Sequence, residues 1–128
     1  MSRQTGPDAA PLREEELYPA APESAYGWSK LMGQYEAELL QKETGIPVGL
    51  PILHNVYGTP SDLSRERSQV LPALMRRAIE WPRGAFTVWG TGRQGRAFVH
   101  VEDVVDGLIA VLERGLGQGP IQIGPSMP

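Results

Sequence analysis

The 128-residue chain has no cysteine, which excludes a disulfide framework, a zinc–thiolate site and a cysteine nucleophile together. No apolar run approaches the roughly 18 residues that a membrane span needs, and Met1-Ser2-Arg3-Gln4 opens no signal peptide. Aromatics are scarce at 7%, and lysine occurs only at Lys30 and Lys42. Neither sign of charge dominates. Twelve Lys and Arg against 15 Asp and Glu leave a net charge of -3, so no global basic field draws the chain to nucleic acid or to an anionic membrane. These absences predict a soluble, cytoplasmic protein with neither nucleic acid nor membrane as partner. What is plentiful is glycine (15) and proline (12), without a period. Charge is also segregated: residues 1–64 hold four basic and nine acidic groups, residues 65–96 seven Arg and two Glu, and residues 97–128 return to -3.

Four prolines (Pro7, Pro11, Pro19, Pro22) and the run Glu14-Glu15-Glu16 mark residues 1–23 as an extended surface segment with little to bury. After Ser24, a candidate N-cap, Trp28, Leu31, Met32, Tyr35 and Leu39 recur at helical spacing as far as Thr44-Gly45-Ile46-Pro47. That pattern predicts a helix over 24–43, stopped by glycine with proline just beyond. The apolar, partly β-branched stretch 46–56 predicts one short buried strand, closed by Tyr57-Gly58-Thr59-Pro60. Further on, the pattern predicts a helix over 69–81, strands over 85–89 and 97–101 around a Gly90-Thr91-Gly92 turn, a helix over 104–113 and a strand over 120–123. Alternating strands and helices indicate an α/β class. With at most two strands able to share one parallel sheet, the sequence is expected to be the middle and C-terminal portion of a larger domain.

Two residues carry a chemical signal. Tyr26 and Lys30 stand four apart on the first helix, so their side chains share one face. An ammonium beside a phenol favours the phenolate, and a phenolate can remove a hydroxyl proton as a hydride leaves the same carbon. Gly33 and Ala37 continue that face with small side chains. From the residues alone the pair is either such an acid–base couple or a chance neighbour on an amphipathic helix. His54 and His100 are lone histidines in apolar stretches, expected as packing residues and not metal ligands, since no carboxylate cluster joins them. Glu102-Asp103 is expected as the acidic first turn of the third helix.

Four blocks in order resemble the extended short-chain dehydrogenase/reductase family, the NAD-dependent nucleotide-sugar epimerases and dehydratases. They are Pro22-Glu23-Ser24-Ala25-Tyr26-Gly27-Trp28-Ser29-Lys30-Leu31, then His54-Asn55-Val56-Tyr57-Gly58, then Val88 to Val104, then Ile121-Gln122-Ile123-Gly124. Within the family, Leu12 to Lys30 and His54-Asn55 are similar to GDP-mannose 3,5-epimerases. The resemblance implies a partial Rossmann-like α/β fold in three parts: a lead-in over 1–23, the active-site helix and following strand over 24–60, and part of the substrate region over 61–128. It implies that Tyr26 is the acid/base and that Lys30 bonds the nicotinamide ribose. The backbone at Leu53 and His54 would lie by the nicotinamide of NAD or NADP. Asn55 would bond the nucleotide-sugar substrate, Arg96 its diphosphate, and Phe86, Val88 and Trp89 would hold the base. Guanidinium matches phosphate bidentately, and the Arg-rich stretch suits a dianion. Arg65, Arg67, Arg76, Arg77 and Arg83 are expected on a solvated surface. A homodimer through the Tyr26/Lys30 helix is also implied.

The departures are specific. No glycine-rich phosphate loop precedes Tyr26, and Gly90-Thr91-Gly92-Arg93-Gln94-Gly95, which spells the bare pattern, leads into a strand and not a helix. Cofactor binding by these residues alone is therefore expected to be very weak. Ile52 stands where the family usually has Arg, and Val70 where GDP-mannose 3,5-epimerases use a lysine; those enzymes also use a cysteine. Double epimerisation is not expected. Three functions remain open: a segment of a nucleotide-sugar epimerase or dehydratase, a non-catalytic remnant serving as an interaction or dimerisation module of the same fold, or a plain α/β domain with no ligand.

Overall fold

A computed structural model describes residues 13–22, 24–64, 66–88, 90–92 and 95–125. Trp89, expected at the nucleotide base, lies outside the described residues, as do Arg65 and residues 1–12. Helix α1 spans Ala25–Thr44. The Ser24 hydroxyl accepts from the Gly27 amide at 3.1 Å, satisfying one of the amides that a helix start leaves open. At the other end Gly45 turns left-handed at φ 73° and its N–H reaches the Gln41 carbonyl, a conformation that costs glycine little.

The single strand expected over 46–56 is two. Strand β1, Leu50–Leu53, pairs in parallel with β4, Pro120–Ile123, in the register Leu50↔Pro120 to Leu53↔Ile123. Strand β2, Asn55–Tyr57, pairs in parallel with β3, Phe98–His100. His54 is the point at which one continuous run of chain exchanges partners. Helix α2 spans Val70–Glu80 and lies between β2 and β3 in sequence, and helix α3, Val101–Arg114, runs directly out of β3. The strand expected over 85–89 is not formed: residues 85–88 carry no ladder, and the Thr87 carbonyl accepts from Arg77 Nη1 at 2.6 Å instead of from a neighbouring strand.

Helix α3 begins three residues earlier than the periodicity suggests. The His100 ring accepts from the Glu102 amide as its cap, and Glu102 and Asp103 occupy the first turn as expected. Its buried stripe is Val104 and Val111 with Gly107 between them, packed on Val99 and Ile123. The other apolar side chains of the helix, Val105, Leu108, Ile109 and Leu112, stand exposed. Leu50 completes the buried apolar set. The lead-in is more ordered than an extended run, because Glu14–Glu16 form a 3₁₀ turn and Tyr18 Oη donates to Glu38 Oε2 at 3.3 Å. No helix among the described residues is long and apolar enough to cross a membrane.

Candidate functional site

Helix α1 presents the Tyr26/Lys30 pair to solvent. Tyr26 is 72% exposed, and Lys30 Nζ lies 5.4 Å from the centroid of its ring, within the range of a cation–π attraction. One helical turn places the two side chains on the same face, and Ser24 fixes where that turn starts. Gly33, one turn further, has no atom within 4 Å of where a Cβ would stand, so the face stays open beyond the pair.

The second group of expected residues gathers where β1 ends and β2 and β3 begin. Leu53 ends β1, His54 follows and Asn55 opens β2. The Asn55 amide donates to the Ala97 carbonyl at 3.3 Å, and its Nδ2 donates to the same oxygen at 3.0 Å. Asn55 thus sits beside Arg96, whose guanidinium is exposed and bonded to the Gly95 carbonyl at 2.9 Å. Asn55 also lines a small cleft with Tyr57, Leu71, Pro72 and Phe98. Phe86 and Val88 are exposed and flank the Thr87 carbonyl that Arg77 holds. The structure therefore assembles two clusters, Tyr26 with Lys30 and Leu53-His54-Asn55 with Arg96. No hydrogen bond joins the two among the described residues.

The expectation for the arginines of α2 is corrected. Arg76 and Arg77 are partly buried and not freely solvated. Arg76 Nη1 donates to the Leu63 carbonyl at 2.6 Å and Arg77 Nη1 to that of Thr87 at 2.6 Å, so α2 pins a loop on each side of it. Arg67 and Arg83 are exposed, as expected. Both histidines have partners: His54 Nε2 lies 3.1 Å from Gln122 Oε1, and His100 packs edge-on against Tyr57 with ring centroids 5.3 Å apart. No three His, Asp or Glu among the described residues are grouped to hold a metal ion.

A cavity of about 370 Å³ opens elsewhere, between the lead-in turn, α1 and the β1/β4 pair, lined by Glu14, Glu15, Tyr18, Glu38 and Gln41 among others. None of the expected site residues borders it. Its carboxylates would repel a dianionic ligand, so chemistry points to the strand ends and not to the larger hollow. Burial pushes the Tyr18 hydroxyl above its ordinary range, and the adjacent Glu38 carboxylate adds to this.

Sequence reasoning missed Glu14, Gln122 and Arg77. Only Gln122 lay inside a recognised block, and nothing in the spacing of the three foretold their contacts.

The profile of the NAD dependent epimerase/dehydratase family matches residues 2–124. Among curated relatives, the chain is 29% identical over 113 residues to the GDP-mannose 3,5-epimerase of Arabidopsis thaliana, covering 88% of this chain and 29% of that one. It is 35% identical over 122 residues to GDP-L-fucose synthase 1 of the same plant, covering 89% and 37%. The chain thus spans about a third of the length of these relatives. A GDP-mannoheptose C4 reductase from Campylobacter jejuni, solved with NADP bound, superposes with a TM-score of 0.73 at 24% identity over 92% of this chain and 48% of that one. At that identity the likeness establishes the fold, a Rossmann-like α/β arrangement with parallel strands.

Proposed function

The chain belongs to the NAD dependent epimerase/dehydratase family, and from that premise we propose that it carries the proton-transfer face and part of the nucleotide-sugar face of an enzyme that oxidises or reduces a sugar carbon. The observation that carries this reading is the Tyr26/Lys30 geometry, an exposed phenol with an ammonium 5.4 Å from its ring centroid on one helix face.

In the oxidative direction the Tyr26 phenolate oxygen takes the proton of a sugar hydroxyl while the hydride on the same carbon departs with its electron pair. In the reverse direction Tyr26 returns that proton to the oxygen of the keto sugar. The bound nicotinamide supplies the hydride acceptor and donor, chemistry that belongs to the cofactor and not to the chain. Lys30 stabilises the phenolate through its charge and offers three N–H groups to the ribose hydroxyls. The backbone at Leu53 and His54 would hold the nicotinamide end of the cofactor, while Asn55 would bond the sugar nucleotide and Arg96 its diphosphate. Phe86 and Val88 would form part of the wall for the base.

The residues present fit the nicotinamide end of NAD or NADP, because an exposed ammonium and a phenol converge on one face beside an open stretch of helix. They do not fit the pyrophosphate. The glycine pattern at 90–95 is followed by β3, so no helix N-terminus stands behind it to receive the charge.

A second reading has its own observation. Helix α1 buries none of its residues, and Trp28, Met32 and Tyr35 are each about half exposed, which supports an association face on α1.

The test replaces the matching segment of the Arabidopsis GDP-mannose 3,5-epimerase with residues 13–125 and follows conversion of the nucleotide sugar by chromatography, since a hydride taken and returned leaves no net change in the nicotinamide. Tyr26→Phe in that chimera should lower turnover by about 10²–10⁴ with the fold unchanged, since Phe keeps the ring volume. Full activity in Tyr26→Phe would sink the acid–base assignment and leave the association reading.

A further inference from the structure

At the carboxyl ends of β1 and β4, three side chains that the chemistry above leaves without a role, those of Glu14, Gln122 and His54, are connected by hydrogen bonds. Glu14 Oε1, on the 3₁₀ turn, accepts from the Gln122 backbone amide at 3.2 Å. Gln122 Oε1 lies 3.1 Å from His54 Nε2, and the His54 amide donates to the Ile123 carbonyl at 3.2 Å. Gly124 lies flat against the His54 ring, where a Cβ would overlap it. The imidazole is therefore held by an amide oxygen at its edge and by bare backbone on its side.

His54 occupies the one position that belongs to neither ladder. Leu53 is fixed by its pairing with Ile123, and Asn55 by its pairing with Phe98. The direction in which the chain leaves the first sheet and enters the second is decided between them. His54 has no ladder pair of its own; its amide is held by the Ile123 carbonyl and its ring by Gln122, whose own amide is held by Glu14. Glu14 is suited to anchor the link. Its carboxyl is held below the usual carboxylate range, first by its own backbone N–H and then by the Gln122 backbone and side chain, so it is ionised near neutrality.

We propose that Glu14, Gln122 and His54 form a positioning relay through which the lead-in turn sets the backbone of residues 53–55 and, with it, the placement of Asn55. The proposal deepens the functional reading above, which it needs only for the meaning of residues 53–55 as site residues. Gln122 and Glu14 touch neither substrate nor cofactor in that reading; they act through His54. The relay also gives the lead-in segment a task beyond covering the sheet end.

The test uses the ¹⁵N-labelled full chain. Long-range ¹H–¹⁵N correlation spectra report the His54 ring nitrogens, and amide hydrogen exchange reports residues 54 and 55 against those of α3. Gln122→Leu removes the acceptor and should shift the Nε2 resonance and speed exchange at His54 and Asn55 at least fivefold, with α3 unchanged. Glu14→Ala should move the same resonances from the far end of the relay, and the Glu14→Ala/Gln122→Leu pair should do no more than Gln122→Leu alone. An unchanged His54 ring in Glu14→Ala overturns the relay, as does exchange that rises equally in α3. Should Gln122→Leu fail to fold, Glu14→Ala on the lead-in turn decides alone. Because the ring signature makes no use of turnover, loss of the relay and loss of the Tyr26 assignment are separate results.

Discussion

Two helical glycines should respond to the same substitution with opposite signs. Gly33→Ala in α1 adds a methyl group where nothing lies within 4 Å. It should therefore return the helix-propensity difference between the two residues, about 0.8–1.0 kcal/mol, as added stability. Gly107→Ala in α3 earns the same propensity but drives its Cβ to 2.8 Å from Ile123 Cγ2 and 3.0 Å from Cδ1. Ile123 is only 8% exposed, and Cγ2 sits directly on a β-branched carbon that cannot swing aside without leaving its rotamer. Overpacking of this kind costs about 1–3 kcal/mol, so the net change is a loss of roughly 0–2 kcal/mol after the propensity gain. Urea unfolding followed by far-ultraviolet circular dichroism should place the two midpoints on opposite sides of the parent. A net change of about 1 kcal/mol corresponds to roughly 4–8 °C in melting temperature for a domain of this order of size. The double variant should give the sum, since Gly33 touches nothing that Gly107 disturbs. If Gly107→Ala raised the midpoint as much as Gly33→Ala, the close packing of α3 on β4 would be refuted.

Three further outcomes follow from the contacts described. Glu14, whose carboxyl is depressed in the fold, favours folding above its ordinary value of 4.5. That contribution is lost as pH falls through the lower folded value, so Glu14→Gln should lower stability at neutral pH and flatten the acid limb of the stability–pH curve below about pH 4.5, the two proteins converging at low pH. Arg77→Met removes the donor from the Thr87 carbonyl, and amide exchange across 85–88 should rise at least threefold while α2 stays protected. Arg96→Ala in the chimera should raise KM with kcat largely kept, because a diphosphate contact is present in ground and transition states alike; a fall in kcat alone would contradict that role.

The helices were legible because their signals are local. Ser24 and the Gly45-Ile46-Pro47 stop bracket α1 in sequence as they do in space, and the strand at 120–123 was plain from composition. The exchange of partners at His54 was not legible, since hydrophobic content marks a strand but does not say which neighbour it pairs with. The stretch 85–88 has the composition of a strand, but composition does not say what reaches its carbonyls, and here Arg77 takes that of Thr87. Helix α3 was read from Val104 because Val99-His100-Val101 looks like continuous strand, and the chain passes from strand to helix there without a connecting loop. The candidate site divided in the same way. Tyr26 and Lys30 stand out by spacing on one helix, whereas Glu14, His54 and Gln122 are up to 108 positions apart and meet only through the fold.

The pairing of β1 with β4 and of β2 with β3 has a consequence for how the protein is made. Every ladder among the described residues joins a strand within 50–57 to one within 98–123, and none is internal to either half. Among the described residues, the segment before residue 60 therefore has no ladder to form until the later strands have been synthesised. At about 5–20 residues per second, roughly 3–13 s separate the emergence of Tyr57 from that of Ile123. For that interval β1 and β2 lack their partners β4 and β3, and the backbone groups that those partners take are open to capture by other chains. For the same reason, cutting the chain between 60 and 68 should give two pieces that are each without sheet alone and that recover it only when mixed, which makes this loop the natural place to split the protein for a reassembly assay.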